Sequence, residues 1–221
     1  MNNYVFGRQL AFSEVLKKKE EYATIFSEGN KHLKKLLNYC FDHNIETNLC
    51  CVGHNEEMPM YIKFNITRNK EEDIARIINA VENNRYVILD FSKRSNDDYA
   101  SLWVKTYYLY QVDQIFEDLY QGLSKKEKNQ KLNQSYLDIL DIVKNFKHED
   151  YDLTFKVKNY NDEKFYSLDI DYMKMKDDQI VYGQSILTKS INIEEGPYIL
   201  NKKIDEQIKV SHKEKVKSLS Y

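Results

Sequence analysis

Residues 45–58, IETNLCCVGHNEEM, carry the side chains of this sequence that are best suited to chemistry. Cys51 and His54 have C-x2-H spacing there, and Cys40 and His43 repeat that spacing at the end of the preceding predicted helix. Thiolates and imidazoles are zinc ligands, so one interpretation is a zinc site built from these four residues. Against it, only seven residues separate the two pairs, whereas structural zinc sites usually combine more widely separated knuckles.

The alternative interpretation makes the cysteines structural. Cys40 falls on the apolar stripe of its helix, and Cys51 shares a strand face with Ile45 and Leu49, so both can behave as small buried hydrophobic groups that face the core. His54 then lies in a turn opened by Gly53. We expect the paired cysteines Cys50 and Cys51 to end a buried strand.

A catalytic interpretation makes Cys50 or Cys51 a nucleophile with His54 as its base and Asp90, near the end of a later strand, as a third group. Such a thiol must be accessible and have a lowered pKa. Strand alternation directs the two thiols to opposite faces, so one of them can line a surface. The sequence shows no oxyanion site, and catalysis needs one.

The composition argues against several classes of protein. The formal net charge is −2, and the lysines are interspersed with acidic residues, which is unlike a dedicated nucleic-acid binder. The six glycines never take the spacing that cradles phosphates, and the G-x-S-x-G and H-E-x-x-H motifs are absent. The three cysteines, confined to residues 40–51, are typical of a reducing compartment, and no long uncharged apolar run occurs. We therefore expect a cytoplasmic protein with no organic cofactor and no membrane partner.

Helical and strand periods alternate through the first 148 residues and predict an α+β fold. Two helices are indicated by apolar stripes, Leu33, Leu36, Leu37, Cys40 and Phe41 in one and Ile74, Ile77, Ile78 and Val81 in the other. Ser27 is predicted to begin the first of them, directly before Glu28. Asn69 and Glu72 form a capping-box pattern before the second helix. Two strands follow each helix, at residues 45–51 and 60–66 and at residues 86–92 and 102–110. This repeat, at an offset of about forty residues, is interpreted as a possible duplication of an αββ unit.

Two further helices are predicted after these strands, with Gly122 ending the first, and they form a helical hairpin that closes this module. From residue 149 the period changes to two, which predicts an antiparallel β-meander with a basic C-terminal tail as a second module. With Asn161 and Asp162 as a hairpin loop, one face of the pair becomes wholly apolar through three pairs: Leu153 with Ile170, Phe155 with Leu168, and Val157 with Tyr166. Strands are also expected at residues 180–188 and 198–200.

The chain is rich in aromatic residues, with 18 tyrosines and 10 phenylalanines. In a strand over residues 102–110, Trp103, Tyr107 and Leu109 share one face, and a face of this composition is typical of a protein interface. In the alternative interpretation, the C-terminal strands cover that face internally.

Three segments, EGNKHLKKLLNYC, IETNLCCVGH and MYIKF, resemble an uncharacterised family of small proteins from low-GC bacteria and their mobile elements. The resemblance covers roughly the first 65 residues and attaches no activity. It implies that a family-specific role lies near Thr47, Cys50, Cys51, Gly53 and His54.

These observations favour a non-enzymatic protein-binding inhibitor or regulator, encoded by a phage or another mobile element, that acts on a larger host protein or nucleoprotein complex. The alternative is a Cys/His-dependent enzyme or a zinc-binding nucleic-acid factor. Direct nucleic-acid binding through Lys34, Lys35 and the tail over residues 202–217 is a third, weaker hypothesis, and it predicts steep salt dependence.

Overall fold

The computed structural model describes residues 4–5, 8–9, 11–55, 57–94, 98–125, 132–147, 151–160, 163–176, 179–182 and 202. Six α-helices lie within these ranges: α1 Phe12–Val15, α2 Lys19–Phe26, α3 Lys31–Asp42, α4 Glu71–Val81, α5 Val112–Ser124 and α6 Gln134–Asn145. Short 3-10 turns occupy Leu16–Lys18 and Leu109–Gln111. The strands are β1 Tyr4–Val5, β2 Arg8–Gln9, β3 Thr47–Cys51, β4 Met60–Asn65, β5 Ile88–Lys93, β6 Ala100–Thr106, β7 Tyr151–Tyr160, β8 Glu163–Lys176 and β9 Gln179–Tyr182.

Strands β3 to β9 form a sheet with the order β3-β4-β6-β5-β7-β8-β9, in which every neighbouring pair is antiparallel. The predicted α+β class is confirmed. Both predicted αββ units are present, as α3-β3-β4 and α4-β5-β6, and they pair through their second strands, β4 and β6. Their common origin by duplication stays a prediction.

One face of the sheet and the apolar helix stripes share a core. Ile62 of β4, Leu102 and Val104 of β6 and Phe91 of β5 are fully buried there, together with the helix residues that the periodicity indicated. Helix α5 packs against α3 and α4, whereas α6 packs on β5. The other face of the sheet carries the alternate strand residues, including Lys63, Trp103, Lys105 and Asp90.

The prediction that Gly122 ends α5 is wrong, because the helix continues to Ser124. It marks the close contact between α5 and α4. A Cβ added to Gly122 would lie 2.6 Å from the Cβ of Ala80 and 3.1 Å from the carbonyl oxygen of Arg76. A larger side chain here would push the two helices apart.

The end of the sheet where β3 begins and β4 ends is closed by hydrogen bonds from asparagine side chains to the backbone. Asn69 accepts the amide of Glu46 at 2.6 Å and donates to the carbonyl of Glu46 at 3.0 Å. Asn65 accepts the amides of Thr67 and Arg68, both at 3.0 Å. We call Glu46, Asn65 and Asn69 the asparagine end.

The capping box predicted at Asn69 and Glu72 is wrong. Lys70 is the N-cap residue of α4, and no side chain caps this helix. The Asn69 side chain instead bonds to Glu46, just before β3 begins: it accepts the Glu46 amide, and it shares the Glu46 carbonyl with the backbone amide of Asn65.

The predicted C-terminal hairpin is confirmed in register. Leu153 pairs with Ile170, Phe155 with Leu168, and Val157 with Tyr166. Residues 153–158 of β7 also pair with β5, so the sheet is continuous across the predicted boundary at residue 149. Of the later predictions, β9 covers Gln179–Tyr182, while residues 183–188, the strand at 198–200 and the basic tail after Lys202 lie outside the described residues.

No helix in the part of the chain that the structure describes combines the length and the apolar character needed to cross a membrane.

Candidate functional site

The end of the sheet opposite the asparagine end brings two segments of interest together. Strand β3 ends at Cys51 and β4 begins at Met60, while β6 ends at Thr106. Because β4 pairs with both β3 and β6 in antiparallel fashion, the residues after β3 and those after β6 emerge at the same end. We call this the cysteine end.

Three potential metal ligands meet at the cysteine end. Glu28, Cys51 and His54 each offer a ligand atom, and these three atoms all lie within 4.8 Å of one another. The His54 Nε2 is 3.2 Å from a Glu28 carboxylate oxygen. The backbone amide of Gly53 donates to the Cys51 Sγ at 3.4 Å. We call Glu28, Cys51 and His54 the ligand cluster.

Glu28 reaches the ligand cluster from the turn between α2 and α3. Its φ is 51° and that of Gly29 is 83°, and the amide of Asn30 donates to the carbonyl of Ser27 at 2.8 Å to close the turn. A side chain in this left-handed region costs of order 1 kcal/mol, which is why glycine usually occupies such a position after a helix. The Asn30 side chain then caps α3 by accepting the amides of His32 and Leu33. The prediction that this helix begins at Ser27 is therefore wrong.

Gly53 is required where the cysteine-bearing strand turns. Its φ is 81°, and an added Cβ would lie 2.5 Å from the Leu109 side chain and 2.8 Å from the backbone nitrogen of Met60. Only glycine fits this conformation and this spacing. The close approach packs Leu109 against the loop that carries His54.

The thiol of Cys51 lies in an unfavourable setting for a nucleophile. Burial raises its pKa above the ordinary value, the hydrogen bond from Gly53 lowers it in part, and the Glu28 carboxylate raises it again. A reactive cysteine needs the opposite shift, toward a thiolate at neutral pH.

Asp90, the predicted third catalytic group, does not join Cys51 and His54. It lies on β5, three strands from β3 in the sheet, which is a separation of about 14 Å at the usual strand spacing. Its carboxylate accepts a hydrogen bond from the Lys105 ammonium at 2.6 Å. The structure therefore brings together two of the three predicted catalytic candidates.

Cys40 and His43 of the predicted four-ligand zinc site do not enter the ligand cluster. Cys40 is fully buried in the core, and burial raises the pKa of its thiol. His43 ends α3, where its ring stacks on Tyr39 and its Nδ1 lies 2.9 Å from the Tyr39 carbonyl oxygen. Glu28 takes their place beside Cys51 and His54.

The two adjacent thiols differ in environment, as strand alternation predicts. Cys50 points into the core, where its Sγ donates to the carbonyl of Phe26 at 3.5 Å and burial raises its pKa to about 12. The prediction that Cys51 faces the core with Ile45 and Leu49 is wrong, because Cys50 takes the core position and Cys51 points to the other face, beside His54.

Exposed aromatic and apolar side chains gather after β6. Tyr107 is 52% exposed, Tyr110 is 70% exposed, and Tyr108 and Leu109 are also exposed. Tyr86 lies under them, with ring centroids 4.9 Å from Tyr108 and 5.7 Å from Tyr110. We call residues 107–110 the aromatic segment.

Tyr86 and Tyr110 are linked by a hydrogen bond that shifts both phenols in opposite directions. The bond from Tyr110 lowers the pKa of Tyr86, with help from Arg85, and the same bond raises the pKa of Tyr110.

The predicted interface of Trp103, Tyr107 and Leu109 is divided between two places. Strand β6 ends at Thr106, so the alternation that placed the three on one face does not extend beyond that residue. Trp103 is partly buried on the outer face of the sheet, where its Nε1 donates to Ser92 Oγ at 3.0 Å. Tyr107 and Leu109 belong to the aromatic segment.

The lysines proposed for nucleic-acid binding are paired with carboxylates. Lys34 lies 2.6 Å from a Glu20 oxygen, and Lys35 lies 3.0 Å from Glu117. These pairs reduce the positive charge that α3 presents.

Comparison of the chain with protein-family models, with curated proteins and with solved structures finds no match.

Proposed function

We propose that this protein is a non-enzymatic inhibitor or regulator that binds a larger protein through the aromatic segment. The observation that carries the proposal is the exposure of four consecutive large side chains, Tyr107 to Tyr110, at one end of the sheet. Tyrosine provides large contact area with little conformational freedom to lose, and it is enriched among the residues that dominate binding energy.

The surroundings of the aromatic segment support a docking role. Leu109 packs on Gly53, and the backbone of Met58, whose side chain is 53% exposed, also borders Gly53. The apolar surface thus continues from the aromatic segment to the loop after β3. Arg85, over the ring of Tyr86, places a positive charge beside this surface and favours a partner with a carboxylate facing it.

A phage or other mobile element as the source is supported by the resemblance of the first 65 residues and by the composition, and we propose a host protein or nucleoprotein complex as the partner of such a protein. The high pKa of the Cys51 thiol and the distance of Asp90 weigh against a Cys/His-dependent enzyme.

The test compares proteins captured from host cells by the wild type and by two variants. Tyr107→Ala with Tyr110→Ala removes the two most exposed rings of the aromatic segment. Tyr120→Ala is the control, since it removes a partly buried ring on α5 that is far from the aromatic segment. Tyr120 lies about 12 Å along the helix from Val112, the first residue of α5.

We expect a partner that the wild type and Tyr120→Ala retain and that the double variant loses, with affinity reduced by about 2 kcal/mol or more. Equal capture by all three proteins would contradict the proposed surface.

A further inference from the structure

We propose that Glu28, Cys51 and His54 form a zinc site. The three side chains supply sulfur, nitrogen and oxygen ligands, which is a mixture that zinc binds well. The assignment is independent of the aromatic segment and of any protein partner.

The spacing of the ligand cluster is close to that of a zinc site. Zinc-to-ligand bonds of about 2.0 to 2.3 Å place neighbouring ligands of a tetrahedral ion roughly 3.3 to 3.6 Å apart. Glu28 and His54 already lie 3.2 Å apart, and all three ligand atoms lie within 4.8 Å of one another. Side-chain movement of about 1 Å completes the arrangement.

The site is open on one side. The side chains of His54 and Glu28 are 50% and 37% exposed, whereas Cys51 is buried beneath them. Three protein ligands leave the fourth tetrahedral position for a water molecule, as in zinc sites that exchange ligands. The amide of Gly53, which donates to the Cys51 sulfur, stabilises the thiolate that the metal requires.

The metal also accounts for the presence of Glu28. A carboxylate beside a buried thiol opposes thiolate formation, and Glu28 takes a backbone conformation that favours glycine. A divalent cation turns this repulsion into attraction, because both anionic ligands then face a positive charge.

Binding is accompanied by proton release. The Cys51 S–H bond breaks, the sulfur keeps the electron pair and bonds to Zn²⁺, and the proton passes to solvent. The His54 Nε2 also gives up the proton that it donates to Glu28, by transfer to Nδ1 or by release, so that its lone pair binds the ion beside the Glu28 carboxylate. Because binding displaces this proton, zinc affinity increases with pH.

The experiment uses the full chain, purified without a histidine tag and freed of metal with a chelator. Zn²⁺ affinity is measured by competition with a chromophoric chelator, and Co²⁺ is added separately as a spectroscopic probe. The variants Cys51→Ser, His54→Ala and Glu28→Gln each remove one proposed ligand. The controls are Cys50→Ala, which removes the adjacent thiol, and His43→Ala, which removes the histidine of the other C-x2-H pair.

We expect one Zn²⁺ per chain, and a sulfur-to-cobalt charge-transfer band that Cys51→Ser abolishes and both controls retain. His54→Ala and Glu28→Gln should each weaken Zn²⁺ binding by at least about tenfold. Thermal denaturation in the presence of chelator shows whether a variant has lost its fold instead. If Cys51→Ser fails to fold, the Zn²⁺ affinity of His54→Ala, which removes an exposed side chain, decides whether the ligand cluster binds the metal.

The assignment is overturned if the wild type binds no stoichiometric Zn²⁺, or if the charge-transfer band persists in folded Cys51→Ser. Wild-type affinity in both His54→Ala and Glu28→Gln would likewise exclude this ligand set. The double variant Tyr107→Ala with Tyr110→Ala should keep the metal, so failure of the docking proposal is distinguishable from failure of this one.

Discussion

The two ends of the central sheet use similar polar residues for different purposes. At the asparagine end, Asn65 and Asn69 are buried and their side chains bond to the backbone of neighbouring turns. At the cysteine end, Glu28 and His54 are partly exposed and bond to each other, beside four exposed apolar or aromatic residues. Polar groups that satisfy the backbone are structural, whereas polar groups that converge on one point in solvent can bind a ligand.

The largest expected effect is at the asparagine end. Asn69→Ala removes both hydrogen bonds to Glu46 and leaves the part-buried Glu46 amide without a partner, while the Glu46 carbonyl keeps the amide of Asn65, so we expect the free energy of unfolding to fall by about 2 to 4 kcal/mol. Urea denaturation measures the change.

The matched control for Asn69→Ala is Asn55→Ala at the cysteine end. Asn55 also accepts two backbone amides, those of Glu57 and Met58, but it is exposed, so water replaces those bonds at about 1 kcal/mol or less. Equal losses in the two variants would contradict the proposed difference between the ends.

Gly53→Ala tests how the cysteine end is assembled. The new Cβ meets the backbone nitrogen of Met60 at a position with positive φ, so we expect a loss of about 2 to 3 kcal/mol. Because the same substitution displaces His54 and Leu109, both zinc affinity and partner capture should fall. Denaturation and zinc titration of the same sample provide the measurement, and unchanged zinc affinity would show that this glycine does not position His54.

A pair of substitutions at Glu28 separates backbone strain from ligand loss. Glu28→Gly and Glu28→Ala both remove the carboxylate, but only glycine relieves the positive φ, so the glycine variant should be more stable than the alanine variant by about 1 kcal/mol. Both should lose zinc affinity. An alanine variant as stable as the glycine variant in thermal denaturation would be evidence against the left-handed conformation.

The smallest effect concerns the helical surface, away from both ends. Hydrogen bonds from Gln121, and then from Lys35, hold the pKa of Glu117 at about 2, below its usual range. A carboxylate with a lowered pKa contributes stability above its unfolded pKa of about 4.3, and this contribution is lost as pH falls toward about 2.

We therefore expect the melting temperature of the wild type to exceed that of Glu117→Gln near pH 6, with the difference vanishing near pH 2. If the melting temperatures of the wild type and Glu117→Gln still differ at pH 2, the stabilisation comes from packing of the Glu117 side chain and not from its charge. Gln114→Ala serves as the control on the same helix, since Gln114 bonds to Asp118 at 2.8 Å and not to α3.

The elements with a strong period could be predicted from the sequence, and the contacts between distant segments could not. The register of Leu153 with Ile170 follows from matching alternate apolar residues across a short loop. By contrast, Gly122 reads as a helix terminator, and only the proximity of Ala80 on α4 explains why a glycine lies inside α5.

Two of the three residues of the ligand cluster could be predicted from the sequence. The C-x2-H spacing identified Cys51 and His54, because the two residues are neighbours in the chain. Glu28 was missed because it reads as the first residue of a helix. The succession Glu28, Gly29 and Asn30, which combines a glycine with an N-cap residue, was the available signal for a turn at that point.

The amino-acid sequence by itself determined the helices, the strands, the C-terminal hairpin and the opposite directions of Cys50 and Cys51, because these depend on side-chain period along a single segment. Only the tertiary structure decided that Glu28 lies beside His54, and that the aromatic segment packs against Gly53. The physical reason is that these contacts join segments from 26 to 56 residues apart. Their positions depend on how the helices and strands pack together, and no local pattern records that packing.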